Sequence, residues 1–302
     1  MTTSISSQPI LPVEVEAAQN SIALHDLQFA YGQRVLFGNL GLMLKSGAVC
    51  GLLGKNGAGK TTLMKIMAGL RFAHGGQVRV FDFDPALRQP SFLSQVFYLP
   101  ETIVLPRVKA EAYVREMAPF YPAFDRALYE ELVQEFALPV GTRLSDLSLG
   151  EARKIMLAFA LAAGSRLLLL DEPANGLDIP ARKQLRRMLS LATRGDRVIV
   201  ISTHQVHDIE ALVDSIAILH GGQIVIHRPM EELTRRLYVG VVPEAPTPES
   251  VLYSERVVGG YTVVKERSQE PESALDLEGV FHAAIADPAR MQSIFATKET
   301  YV

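Results

Sequence analysis

The chain has 302 residues, 48% hydrophobic and 21% charged, with a formal net charge of −3. That composition excludes wholesale disorder, and the length gives room for about two domains or one large domain with an appendage. The slightly acidic balance weighs against a general nucleic-acid binder, and one cysteine, Cys50, excludes an intrachain disulfide framework and fits a reducing, cytosolic compartment.

Residues 1–20 are rich in Ser, Thr, Pro and Glu and lack a basic start followed by an apolar run. They are expected to be a flexible tail rather than a secretory signal. Residues 21–50 alternate apolar and polar positions, with turn signals at Tyr31-Gly32-Gln33 and Ser46-Gly47, and predict short strands and hairpins. A small apolar strand, Ala48 to Leu53, runs into Gly54-Lys55-Asn56-Gly57-Ala58-Gly59-Lys60-Thr61-Thr62. Leu63, Met64, Ile66, Met67 and Leu70 then recur at helical spacing. The order is strand, glycine-rich loop, helix.

Prolines at 100, 106, 119, 122 and 139 punctuate a helical insert, with a helix over Ala127 to Phe136 that Asp125 is placed to cap. After it, helices over Glu151 to Ala163, Pro180 to Thr193 and Asp208 to Val213 alternate with buried strands at Leu167 to Leu170 and Val198 to Ser202. Ile216 to His220 and Gln223 to His227 flank Gly221-Gly222 as a hairpin. This alternation argues for an α/β domain built on parallel strands. The Pro-rich run over 239–250 reads as a linker. Beyond it a hairpin about Gly259-Gly260 precedes a helical face of Leu277, Val280, Phe281, Ala284 and Ile285, and Asp287-Pro288 starts a last helix. The most apolar stretch, Ile155 to Leu170, is 16 residues long and contains Arg166. A membrane-spanning helix needs ~20 mostly apolar residues, so any work at a membrane passes through a partner.

Gly54-x-x-x-x-Gly59-Lys60-Thr61 has the phosphate-loop spacing, in the strand–loop–helix context that pattern requires. Glycines let successive backbone N–H groups turn toward phosphate oxygens, and the helix that follows adds its positive end. The phosphate-binding candidates are therefore Gly54, Asn56, Gly57, Ala58, Gly59, Lys60, Thr61 and Thr62. Lys60 would reach the β- and γ-phosphates and Thr61 would offer its hydroxyl to Mg²⁺. Leu167-Leu168-Leu169-Leu170-Asp171-Glu172-Pro173 delivers two carboxylates at the C-terminal end of a buried strand, where open α/β sheets place ligands. Asp171 can hold Mg²⁺ through water, and Glu172 can orient and deprotonate an attacking water. His207 is accompanied by no cluster of further ligands and does not read as a metal site.

Leu147-Ser148-Leu149-Gly150-Glu151 resembles the LSGGQ signature of ATP-binding cassette (ABC) proteins, departing from it at Leu149 and Glu151. The phosphate loop, this run, Asp171-Glu172, a Gly176-Leu177-Asp178 turn and Ser202-Thr203-His204 follow one another as in ABC ATPases. The resemblance covers roughly residues 22–235. It implies a P-loop NTPase cassette with a mixed β core and a helical subdomain at about 100–165. On that reading the ATPase domain occupies 21–238, and a small C-terminal α/β appendage occupies 251–302.

The same resemblance implies site roles. Tyr31 falls where the family stacks an aromatic on adenine. His204 falls at the switch histidine and Asp178 in the D-loop. Ser148, Gly150 and Glu151 would serve a nucleotide bound mainly by the opposite subunit. Glu101 stands where the family usually has a glutamine touching Mg²⁺ or the catalytic water. The catalytic set would be Glu172, His204 and Lys60, and the metal set Thr61, Asp171 and Glu101, with ATP and Mg²⁺ as cofactors.

The expected partners are a second nucleotide-binding subunit, either a second copy or a paralogue, and an integral membrane permease, with no nucleic acid. The chain would sit on the cytoplasmic face of the membrane through that permease. The Phe120-Tyr121-Pro122-Ala123-Phe124-Asp125 segment, with Leu99-Pro100-Glu101, resembles bacterial ABC exporters whose ATPase and membrane parts are separate chains. The alternatives are a soluble single-cassette ABC ATPase without a transport role and a regulatory ATP sensor. The C-terminal piece is open between a dimerisation or regulatory module and an extra cap on the sheet.

Overall fold

The computed structural model describes residues 20–192, 197–268 and 275–296. The expected tail lies outside them except for Asn20, which begins the first strand. In chain order the elements are β1 (Asn20–Tyr31), β2 (Arg34–Lys45), β3 (Val49–Leu53), α1 (Lys60–Met67), β4 (Gly75–Val80), α2 (Pro90–Leu93), β5 (Val96–Leu99), α3 (Ala110–Met117), α4 (Arg126–Glu135), α5 (Leu149–Ala162), β6 (Leu167–Asp171), α6 (Ile179–Ala192), β7 (Val198–Thr203), β8 (Ser215–His220), β9 (Gln223–Pro229), α7 (Met230–Arg236), β10 (Leu237–Val242), β11 (Tyr253–Val257), β12 (Gly260–Glu266), α8 (Leu277–Ala286) and α9 (Pro288–Ala296).

β3, β6 and β7 have no polar face and are buried at every position, which suits strands covered on both sides. They lie inside a six-stranded sheet of order β5-β6-β7-β3-β8-β9, parallel except for β9. Successive residues feed opposite cores. Leu167 and Leu169 join Val198 and Val200 on one face, under a three-stranded antiparallel sheet of order β2-β1-β4 and helix α1. Leu168 and Leu170 join Ile199 and Ile201 on the other, under the helices. The chain is thus a mixed α/β cassette, and its sheet combines parallel and antiparallel strands.

On the helical side Phe159 of α5 is fully buried at the centre of an aromatic cluster. The Tyr113 and Phe124 rings lie 5.2 Å from it, Phe97 at 5.7 Å and Tyr121 at 5.9 Å. The Phe120–Asp125 segment therefore fastens helix α4 to α5. Asp125 caps α4 by accepting from the Leu128 N–H at 3.0 Å, and its own N–H donates to the Ala162 carbonyl.

Three expectations differ from what is seen. Residues 21–50 form two 12-residue strands rather than several short ones. Irregular register between Leu24 and Leu27, with Asp26 at φ 48°, breaks their alternation without ending them. Asp208 to Val213 is not a helix: a single turn over Val206–Asp208 is followed by turns that bury Ile209 and Val213. The run expected as a linker from 239 begins as strand β10, because Val239 is buried and pairs with Val264 of β12.

β10, β12 and β11 form a separate antiparallel sheet backed by α8, and α9 packs against α8 and β9. Leu277, Val280, Ala283, Met291 and Ile294 share one apolar core with Ile209, Val213 and Ile216. The C-terminal segment and the cassette are packed as one body of side chains.

Candidate functional site

The parallel register brings the candidate groups together. Leu53 pairs with Thr203, Asp171 with Ser202, and Leu99 with Leu170. Four neighbouring strands therefore end at one edge, and the chain leaving them carries Gly54, His204, Glu172 and Glu101. Glu101, Glu172 and His204 line a cleft of about 410 Å³ together with Tyr31 and residues Asn56–Thr62 of the glycine-rich loop, while Gly54 and Asp171 do not line it.

Close approach rules out a side chain at two of the loop's glycines. Gly59 has φ 113°, and a Cβ there would lie 2.8 Å from the Phe37 ring. A Cβ on Gly54 would lie 2.8 Å from the Leu219 carbonyl oxygen. Lys60 opens α1, and its buried ammonium donates to the Gly54 carbonyl at 2.7 Å and meets Glu172 Oε1 at 3.2 Å. The other Glu172 oxygen, Oε2, lies 2.9 Å from His204 Nδ1. Glu172 itself sits at φ 46°, a left-handed backbone that costs a non-glycine residue about 1–3 kcal/mol and turns the chain sharply off β6. Its N–H is held by Ser202, through Oγ at 2.9 Å and the carbonyl at 3.1 Å.

Asp171 is 1% exposed and accepts from two donors the sequence reading missed. Ser202 Oγ donates to Oδ1 at 2.6 Å and Tyr98 OH to Oδ2 at 2.9 Å. Burial, then the Asp171 carboxylate, push the Tyr98 phenol upward, so it stays a donor. Asn175, also missed, donates from Nδ2 to Glu101 Oε1 at 2.7 Å. Its only sequence signal is its place three residues after Glu172, in the turn that follows the strand.

Tyr31 is 47% exposed at the mouth of the cleft. Phe29 meets it at right angles at 4.9 Å, its hydroxyl lies 3.1 Å from Thr62 Oγ1, and the Arg71 guanidinium lies over the ring at 6.0 Å, so the ring is held in place. Thr61 lines the floor beside Lys60. Thr61, Asp171 and Glu101 supply hard oxygen donors of the kind Mg²⁺ takes. Among the described residues no group of three or more His, Cys, Asp or Glu is arranged to hold a metal.

Ser148, Gly150, Glu151 and Asp178 do not line this cleft. Ser148 and Glu151 form a capping box at the start of α5: the Glu151 N–H donates to Ser148 Oγ, and Glu151 Oε2 accepts from the Ser148 N–H at 2.9 Å and from its hydroxyl at 2.7 Å. These bonds lower the Glu151 pKa. Asp178 accepts from the Ala181 N–H at 2.8 Å at the start of α6. His207 lies outside the cleft, with Nε2 3.1 Å from Glu278 of α8.

The sequence profile of the ABC transporter family matches residues 37–175. The chain is 32% identical over 218 residues to the bacitracin transport ATP-binding protein BcrA of Bacillus licheniformis, covering 70% of each chain. It is 30% identical over 203 residues to the ABC transporter ATP-binding protein NatA of Bacillus subtilis, covering 65% of this chain and 82% of that one. A solved ATP-binding subunit of an ABC transporter superposes with a TM-score of 0.64 at 27% identity, covering 71% of this chain and 92% of that one.

Proposed function

This chain belongs to the ABC transporter ATP-binding proteins, and from that premise we propose that it binds and hydrolyses Mg-ATP to power transport through a separate integral membrane permease. The observation that carries the reading is the meeting of Lys60, Glu172 and His204 in one cleft that the phosphate loop and the exposed Tyr31 also line. Among the described residues no helix is long and apolar enough to cross a membrane, in keeping with a substrate path supplied by another chain.

The adenine stacks on Tyr31, and the backbone N–H groups of Asn56–Thr62 hold the phosphates. Thr61, Asp171 and Glu101 would hold Mg²⁺, which when bound neutralises charge on the phosphate oxygens. Lys60 shares its charge with Glu172 and must turn from that carboxylate to reach the γ-phosphate. The turn releases Glu172 as general base for the attacking water. His204, bonded to the far oxygen of Glu172, orients that carboxylate and stands ready to stabilise charge on the transferred phosphoryl group.

Ser148, Gly150 and Glu151 lie outside that cleft, next to the exposed Leu149. A second ATP-binding subunit, packed head to tail, would receive its nucleotide there. Closure on two ATP and reopening after hydrolysis form the two-state element that the permease follows. Purified chain should hydrolyse ATP only with Mg²⁺ present, and affinity capture from detergent-solubilised membranes should return a polytopic membrane protein. ATP turnover by the purified chain, with no membrane protein recovered in the capture, would sink the transport part and leave the ATPase part standing.

A further inference from the structure

Arg153 is a buried charge that the scheme above does not use. It lies on α5, one turn beyond the capping box, and is 4% exposed. Its guanidinium bonds to three backbone carbonyls from two other segments. Nη1 donates to Glu172 O at 2.8 Å and to Pro173 O at 2.9 Å, and Nη2 donates to Glu101 O at 2.8 Å. Nε is buried with no hydrogen-bond partner. Desolvation lowers the guanidinium pKa, with the nearby Glu101 and Glu172 charges opposing that shift.

Such a residue is a poor stabiliser: burying an ion against neutral dipoles costs more than filling the same volume with an apolar side chain. What it provides is geometry. The planar fork fixes two directions at once, and here they are the turn that carries Glu172 and the segment that carries Glu101. Glu172 needs external support, because its left-handed backbone is unfavourable by itself. Ser202 grips this turn from the N–H side and Arg153 from the carbonyl side.

We infer that Arg153 is a positioning residue, which locks the backbone of the Glu172 turn and of Glu101 to the first turns of α5 and so sets the aim of both carboxylates into the cleft. It ties the helix that begins at Ser148 to the base of this chain's own site. The inference rests on the reading of Glu172 as general base.

The test compares Arg153→Lys and Arg153→Met with wild type and Glu172→Gln, all as full chains, by steady-state ATPase and by binding of a fluorescent ATP analogue. Arg153→Met should lower kcat by about 10–100-fold while KM and nucleotide Kd stay within about threefold, as expected when geometry rather than ground-state binding is lost. Arg153→Lys, which keeps the charge and one donor direction, should recover part of that loss. Placed in the Glu172→Gln chain, Arg153→Lys should slow the residual rate no further, because it acts through the carboxylate. Wild-type kcat in the Met variant, or a parallel fall in ATP affinity, overturns the inference. So does a further loss in the Glu172→Gln background, or failure of both variants to fold. If Glu172→Gln hydrolyses ATP normally, the base assignment falls and the inference falls with it; if it is inactive while Arg153→Met is normal, only the inference falls.

Discussion

Lys60 and Glu172 form a buried ion pair, 3.2 Å between Nζ and Oε1, inside the cleft that the phosphate loop walls. The proposed general base is therefore held by the same cation that should receive the γ-phosphate. Two outcomes follow from this shared charge.

Removing Lys60 alone leaves a buried carboxylate without its cation, an imbalance worth about 3–5 kcal/mol. Lys60→Met should accordingly be less stable in urea than Lys60→Met combined with Glu172→Gln, although the double variant has lost one more native group. Equal midpoints for the two would show that the pair carries no such imbalance.

Glu172→Gln keeps the loop and Lys60 and gives up only the base. It should bind ATP at least as tightly as wild type, hydrolyse it at least about 100-fold more slowly, and accumulate as an ATP-held dimer on size exclusion. Near-normal turnover contradicts the assignment.

Asp171 depends on donors from two neighbouring strands. Tyr98→Phe removes one hydrogen bond to a buried carboxylate, and should destabilise the chain by about 1–3 kcal/mol in denaturant unfolding. It should also raise the Mg²⁺ concentration needed for half-maximal ATPase, since a less firmly held Asp171 presents its remaining lone pairs less well. A change in stability with unaltered Mg²⁺ dependence would confine Tyr98 to a structural part.

The capping box puts a carboxylate, with its pKa lowered by Ser148, on the surface proposed to face the partner's nucleotide. Glu151→Gln keeps the cap's shape and removes the charge. ATP-dependent dimerisation of the Glu172→Gln chain should tighten by up to about tenfold, an effect that shrinks with added salt. Weaker dimerisation would mean that the carboxylate itself is a contact.

Burial pushes the Cys50 thiol from 9.0 up to about 12. Between those values the unfolded chain gives up this proton and the folded chain keeps it, so this group makes stability fall as pH rises above about 9. At about pH 8 a thiol reagent should label Cys50 only through unfolding, at a rate independent of reagent concentration at high reagent.

Much of the site was legible because its groups sit at strand ends, where an apolar run followed by Gly, Asp-Glu or His marks both the strand and its exit. What the sequence hid was lateral. Tyr98 and Ser202 reach Asp171 across β5 and β7, and nothing in a linear reading says that residues 98, 171 and 202 are neighbours. Arg153 was unreadable for a similar reason: on a helix wheel it is an ordinary cation one turn from a cap. The departure at Glu151, by contrast, has a local cause that the sequence already contained, the Ser-x-x-Glu spacing of a capping box. The misread strand β10 follows from tertiary context. Its prolines fall after Val242, and its pairing partner lies about 20 residues further on, so the segment looked like a connector until β12 was in place.

The alternation along β6 has a further consequence. Leu167 to Leu170 are four identical side chains, and exchanging any one for a residue of similar volume would disturb little. Adding or removing one would be another matter. Each following side chain would swap between the two cores, and the aspartate would no longer stand opposite Ser202. The message of this segment is its count. It works as a ruler whose marks are indistinguishable and whose length sets the phase of everything beyond it.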